Sequence, residues 1–278
     1  MITQMNFRVA NEPDTERLQM QARVWEPAAE EMLNLVGVGP GWTCLDMGCG
    51  AMGILGALSR QIEPDGQVIG IDADFSQLSS ARSYVQFEEF NNITLLSRDV
   101  TNTGLAANSF DFVHERFMFE YLATPERMLQ EMLRLARPEG VVAVEETDHS
   151  SWNIWPTCPS WPRLMEVLEA AFALRGSVNI GRQAFGILKR AGLEDVRIHT
   201  SVLALCDRHP YMRLPILAAN ALRYTILDGL IATAMELDDL LAEVENCIND
   251  PETVEISFTT VQVWGRKPQL SGRGLFAT

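Results

Sequence analysis

The chain has 278 residues, 47% of them hydrophobic, and a formal net charge of −15. That length supports one large core, or a core with a helical cap, and no apolar run approaches a membrane span. The acidic balance opposes nucleic-acid binding, which depends on neutralising phosphates with Lys and Arg, so the favoured partner is a small molecule and neither nucleic acid nor membrane.

Met1 to Glu12 lack the basic-then-apolar order of a signal peptide, so the chain reads as soluble and cytoplasmic. In chain order, residues 14–36 read as an N-terminal helix, or two. Leu18, Ala22, Trp25, Ala29, Met32 and Leu33 recur at helical spacing, with Pro27 as a possible interruption. Gly37, Gly39, Pro40 and Gly41 end it. From residue 42 the pattern alternates: strand 42–47, helix 53–62, strand 68–72, helix 76–89, strand 93–97, strand 110–114, helix 125–136, strand 141–145. Apolar runs such as Val141–Val144 suit strands buried on both faces, and their alternation with helices implies a parallel sheet. Residues 150–162 are rich in Trp, Pro and Ser and read as a loop near the carboxyl edge of the sheet. Residues 163–174 and 182–191 read as helices, 196–205 and 254–264 as two more strands. A helical insertion, 206–250, lies between those strands and reads equally as a lid or as a homodimer interface. The expected organisation is one domain over 1–278, with a core at 42–147 and a final strand at 254–266.

The five cysteines (Cys44, Cys49, Cys158, Cys206, Cys247) are scattered, with no zinc-ligand spacing, and read as free thiols. Asp46-Met47-Gly48-Cys49-Gly50-Ala51-Met52-Gly53 stands where the first strand meets the first helix. Glycines there let the backbone turn tightly and approach a ligand. Gly48, Gly50 and Gly53 satisfy G-x-G-x-x-G, a pattern compatible with a dinucleotide; Asp72, after the second strand, suits ribose hydroxyls in either case. Asp46 separates the readings. Its carboxylate would face a pyrophosphate unfavourably, but the ammonium and sulfonium of S-adenosylmethionine favourably.

Taken together, Cys44–Gly50, Ile69–Asp74 with Leu78 and Ala81-Arg82, Leu96–Val100, Ser109–His114 and Leu129–Gly140 resemble the ordered motifs of class I S-adenosylmethionine-dependent methyltransferases. Trp25-Glu26-Pro27 and Gln262–Gly265 resemble a bacterial branch frequent among natural-product tailoring enzymes. The resemblance implies an α/β, Rossmann-like seven-stranded sheet, mostly parallel with an antiparallel last strand, an N-terminal helix, and a helical cap inserted between the last two strands. It implies S-adenosylmethionine as cofactor and S-adenosylhomocysteine as product. Gly48 and Gly50 would pack against the methionine part, with Asp46 near its amino group. Asp72, with Ala73 beside it, would meet the ribose; Asp99 and Val100 would meet the adenine; the backbone at His114 and Glu115 would run along the methionine moiety. Met52 stands where the family often has glycine.

Methyl transfer needs alignment, a desolvated pocket and, for some acceptors, a base. His149, on the loop after the fifth strand, is the favoured base candidate, with Tyr121 beside it. Glu145, Glu146 and Asp148 are too ordinary a strand-end cluster to indicate Mg²⁺, so no metal is expected. Trp25, Phe117, Met118, Trp152 and Tyr224 are candidate walls of an apolar pocket. The leading expectation is methylation of O, N or C on an apolar small molecule, a secondary metabolite. The alternatives are a methyltransferase-like cyclase (pericyclase) of polyketide biosynthesis that binds the cofactor without using its methyl group, and a non-catalytic binder of S-adenosylmethionine.

Overall fold

A computed structural model describes residues 12–174 and 176–269 of the chain. The reading of 1–11 as lacking a signal sequence lies outside the described residues. Two helices lead in, α1 (Glu12–Val24) and α2 (Glu26–Val36). Only Trp25 separates them. Pro27 opens the second helix, at a position where the missing N–H would have had no partner. Gly37, at φ +82°, ends α2 by donating to the carbonyls of Leu33 and Asn34, and the Val38 N–H also returns to Leu33. This left-handed termination favours glycine.

Then follow β1 (Thr43–Met47), α3 (Leu55–Ile62), β2 (Gln67–Asp72), α4 (Phe75–Phe87), β3 (Ile93–Ser97), β4 (Phe110–Arg116), α5 (Pro125–Leu135) and β5 (Ala136–Asp148). The second half comprises β6 (Asn153–Trp155), α6 (Trp161–Ala173), α7 (Gly181–Arg190), β7 (Glu194–Ser201), β8 (Ala204–Leu205), α8 (Leu214–Ala221), α9 (Arg223–Asp228), α10 (Ala234–Ile248), β9 (Val254–Ile256) and β10 (Thr259–Arg266). Seven strands form one sheet in the order β3-β2-β1-β4-β5-β10-β7. β1 to β5 pair in parallel, and β10 runs antiparallel to both β5 and β7. The strand order reverses between β1 and β4, which opens a crevice at their carboxyl ends.

Both faces of the sheet are covered. Ala29, Met32 and Leu33 of α2, Leu55 and Leu58 of α3, and Leu78 of α4 bury Cys44, Phe112 and Ala143. On the other face Met128 and Met132 of α5 and Ala184 and Leu188 of α7 bury Leu45, Val113 and Val144. A third cluster lies over the carboxyl edge, where Trp25, Phe117, Trp152 and Phe258 meet α6, α8 and α10. Among the described residues no helix is long and apolar enough to cross a membrane.

Two expected strands are each divided. The 196–205 stretch breaks into β7 and β8, and 254–264 into β9 and β10. The short pieces join β6, inside the expected loop, in a second antiparallel sheet ordered β6-β9-β8. Ser257 makes the division. Its N–H donates to the Leu203 carbonyl and its hydroxyl oxygen accepts the Leu203 N–H, so both segments leave the main sheet at the same level.

Candidate functional site

At the end of β1 the chain turns through Gly48, Gly50 and Gly53, with φ of +75°, +53° and +51°. Side chains rarely adopt this region, which explains the glycines. Gly48 and Cys49 donate to the Ile71 carbonyl at 2.8 and 2.9 Å, tying the loop to β2. The carboxylate of Asp46 accepts the Ile54 N–H at 3.1 Å, just before α3 begins. A side chain at Gly53 would collide with that same oxygen. The N-terminus of α3 is therefore served by Asp46.

Asp72, at the end of β2, accepts from Gly50 N–H at 2.9 Å and Asp74 N–H at 2.8 Å. Burial, partly offset by these donors, pushes its pKa up. Asp74 in turn caps α4 through Ser76 and Gln77. A Cβ built on Gly50 meets nothing within 4 Å, so that stretch of the loop faces open space. One built on Gly48 would stand 2.5 Å from the sulfur of Met118, which lies across the loop. Ala73 and Asp99 are exposed and Val100 is half-buried on the rim beyond β2 and β3. The Asp99 carboxylate accepts from both the N–H and the hydroxyl of Thr101 at 2.8 Å.

Behind this loop runs a buried polar ladder. His114 Nδ1 meets Asp46 at 2.9 Å and its Nε2 meets Glu145 at 3.0 Å; Gln262 donates to Glu145 at 2.6 Å and to the Ala28 carbonyl at 3.0 Å. Desolvation opposes an imidazolium here, but the two flanking carboxylates prevail and lift His114 to about 9. Burial opposes the Glu145 carboxylate too, yet His114 holds its pKa below the ordinary value. Both ring nitrogens of His114 are thereby committed, and the residue fixes β1, β4, β5 and β10 to one another at the crevice.

On the opposite face Glu115 accepts from the Met118 N–H at 3.1 Å and Glu146 from the Phe119 N–H at 2.6 Å. Their remaining oxygens face each other and find no other donor among the described residues. A shared proton resolves this; burial pushes Glu115 up to about 8 and also raises Glu146. The side chain of Glu115 is thus turned into the core, away from the expected cofactor edge. Beyond it the chain swings off β4 through Phe117, at φ +57°. That conformation costs an aromatic residue roughly 1–2 kcal/mol. It carries Met118 to the glycine loop and Glu120 and Tyr121 to a cavity.

This cavity, about 40 Å³, lies between the carboxyl edge and helices α1, α6 and α8. Tyr121, His149 and Trp152 line it, together with Glu120 and Thr147, so both catalytic candidates and one pocket candidate converge there. His149 stacks on Phe258 at 5.4 Å and meets Trp152 edge-on at 4.9 Å; burial pushes its pKa down to about 4. Trp25 and Phe117 belong to the cluster beneath, with Trp25 donating to the Tyr211 hydroxyl at 2.9 Å. Tyr224 lies apart, 65% exposed on α9. Among the described residues no three His, Cys, Asp or Glu side chains are grouped to hold a metal ion.

The sequence reading missed Glu120, the ladder partner Gln262 and the Glu115–Glu146 pair. For Glu115 and Glu146 the available signal was a polar residue at the carboxyl end of an otherwise apolar strand.

Over residues 39–191, more than half of the chain, the sequence matches the family described as "Methyltransferase domain". It is 27% identical over 135 residues to a demethylmenaquinone methyltransferase of Listeria welshimeri, covering 49% of this chain and 55% of that protein. The matched stretch thus spans about half the length of that relative. A SAM dependent methyltransferase from Aquifex aeolicus superposes with a TM-score of 0.53 at 24% identity, over 70% of this chain and 93% of that one. The 4+2 cyclase SpnF superposes with a TM-score of 0.51 at 19% identity, over 88% and 84%. These structural likenesses show the shared fold.

Proposed function

The chain belongs to the methyltransferase-domain family, and on that premise we propose that it binds S-adenosylmethionine and methylates an O, N or C atom of an apolar small molecule. The observation that carries the reading is Asp46. Its carboxylate accepts the Ile54 N–H at the start of α3, where a dinucleotide's pyrophosphate would need that donor. The site repels a phosphate and suits a cationic amino acid moiety.

The surrounding residues fit the cofactor. Gly50 leaves open space for close approach, and Asp72 and Asp99 offer acceptors to ribose and adenine. Arg116 donates to the Gly53 carbonyl at 2.9 Å, while its other terminal nitrogen is buried without an acceptor among the described residues, a donor suited to the amino acid carboxylate. When bound, S-adenosylmethionine supplies an electrophilic methyl group and leaves as S-adenosylhomocysteine. The chain's part is alignment and exclusion of water, through Met118 at the loop and the Trp152–Phe258 aromatic cluster at the cavity.

The test is calorimetric titration with S-adenosylmethionine and S-adenosylhomocysteine, with Asp72→Ala as control. Micromolar binding, weakened about tenfold in the variant, corresponds to about 1.4 kcal/mol. No binding of either ligand by the wild-type protein removes the reading. Naphthoquinol acceptors are the first substrates to screen, given the Listeria relative; a rearranged but unmethylated product would favour a cyclase instead.

A further inference from the structure

Glu120 is buried at the inner end of the cavity, in a setting that supports it with and without its proton. Its carboxyl lies 2.7 Å from the Thr147 hydroxyl, which is also 2.9 Å from the Val178 carbonyl. Thr147 has one hydrogen to give. When Glu120 is protonated it donates to Thr147, whose hydrogen goes to Val178; when Glu120 is ionised, Thr147 turns its hydrogen back to the carboxylate. The Tyr121 side chain also favours the Glu120 carboxylate. The walls around it are aromatic: Tyr121, Trp152, Phe172 and Phe258.

We propose that Glu120 is the proton acceptor of this cavity, and that its ligand is a flat aromatic molecule bearing a hydroxyl group aimed at the Glu120 carboxylate. The proposal rests on the methyl-transfer reading and names its substrate class. The O–H bond breaks, the proton joins the carboxylate, and the electron pair stays on the oxygen that is to take the methyl group. Arg17 lines the same cavity. Its charge bears on Glu120 and favours the carboxylate form. His149 shares the cavity but burial leaves it a weak base. Burial lifts Glu120 to about 7, and the Glu120 charge in turn raises the neighbouring Glu146. A proton acceptor works best near the operating pH. At about 40 Å³ the cavity admits water but not a ring. Entry therefore requires α1, α6 and α8 to draw back from the sheet edge.

The probe is 2-naphthol, compared with 2-methoxynaphthalene, which lacks the acidic proton. Each is titrated by fluorescence against wild type and Glu120→Gln at pH 6 and pH 8, where naphthol itself stays neutral. Wild type is expected to prefer naphthol to its methyl ether by about tenfold at pH 8, the margin of a charge-assisted over a neutral hydrogen bond. The preference shrinks at pH 6, and in Glu120→Gln it is small at both. Absence of naphthol binding, a wild-type preference independent of pH, or a preference that survives in the variant overturns the proposal. The wild-type pH comparison needs no variant to fold. S-adenosylhomocysteine, titrated in parallel, separates the two readings: its failure to bind wild type removes methyl transfer, whereas unchanged affinity in Glu120→Gln together with a lost naphthol preference assigns Glu120 to the acceptor side alone.

Discussion

Replacing Glu115 by Gln is expected to stabilise the protein, increasingly so as pH rises. Glu115 is pushed up to about 8 from an ordinary 4.5, chiefly by burial. The folded state therefore holds a proton that the unfolded chain has released, and stability falls as pH climbs from 4.5 toward 8. At pH 7 the gap is 2.5 pH units, which at 1.36 kcal/mol per unit is about 3 kcal/mol. The amide removes the Glu115 share of that loss without changing shape, while Glu146 keeps the share set by its own burial. The amide nitrogen replaces the Glu115 oxygen that faces Glu146 and donates to it, while the amide oxygen keeps the Met118 N–H, which Glu115 now accepts at 3.1 Å. Thermal melts followed by circular dichroism from pH 5 to pH 8 measure this. The Tm values are expected to agree within about 2 °C at pH 5 and to separate by roughly 6 °C at pH 7, by the scaling for chains of this size. Parallel curves across the range, or a variant that melts below wild type at pH 8, refute the shared-proton account.

Gln262→Leu removes a donor to the Ala28 carbonyl and to Glu145, leaving one buried Glu145 oxygen without its donor. A loss of about 2–4 kcal/mol is expected from urea unfolding, with an unchanged m-value. Gly50→Ala meets no neighbour, so it carries only left-handed strain of about 1–2 kcal/mol. It should fold and yet bind S-adenosylhomocysteine more weakly by calorimetry, because the new methyl group enters the open face. Gly53→Ala drives a methyl group into Asp46, so both its Tm and its ligand affinity should drop. His149 has its pKa depressed to about 4 by burial, so it contributes a loss of stability as pH falls from 6.5 toward 4. His149→Phe keeps the stack on Phe258 and should flatten that acid limb of the Tm profile.

The βαβ half was legible because each signal is local. Gly48 and Gly50 punctuate the chain where a strand must turn, and runs such as Val141–Val144 leave a buried strand as the simplest reading. The break at Trp25 was visible in Pro27, although proline there begins a helix and does not interrupt one. What escaped was non-local. Nothing near Gln262 in sequence announces that it meets Glu145, 117 residues away, or that His114 spends both ring nitrogens on carboxylates. Glu120, beside Tyr121, carried no local signal of burial. Only the left-handed turn at Phe117 brings it inside, and an aromatic residue gives no sequence hint of that conformation. The second sheet was hidden for a similar reason, since Ser257 divides two strands by bonding to Leu203, 54 residues away.

The small sheet also bears on how the helical insertion is mounted. β8 enters it and β9 leaves it, and the two pair directly, Ala204 with Ile256 and Leu205 with Glu255. The insertion is therefore mounted like a fitting on a socket: its two ends are clasped side by side, and the seven-stranded sheet passes below them unbroken. With the ends held, the length of what lies between costs stability only logarithmically. Helix α8 borders the cavity through Leu214 and Ala218, so on the proposed methyl-transfer reading, changing its cavity-facing residues between these clasped ends is a route to altering the acceptor while keeping the glycine loop and its Asp46 and Asp72 anchors intact.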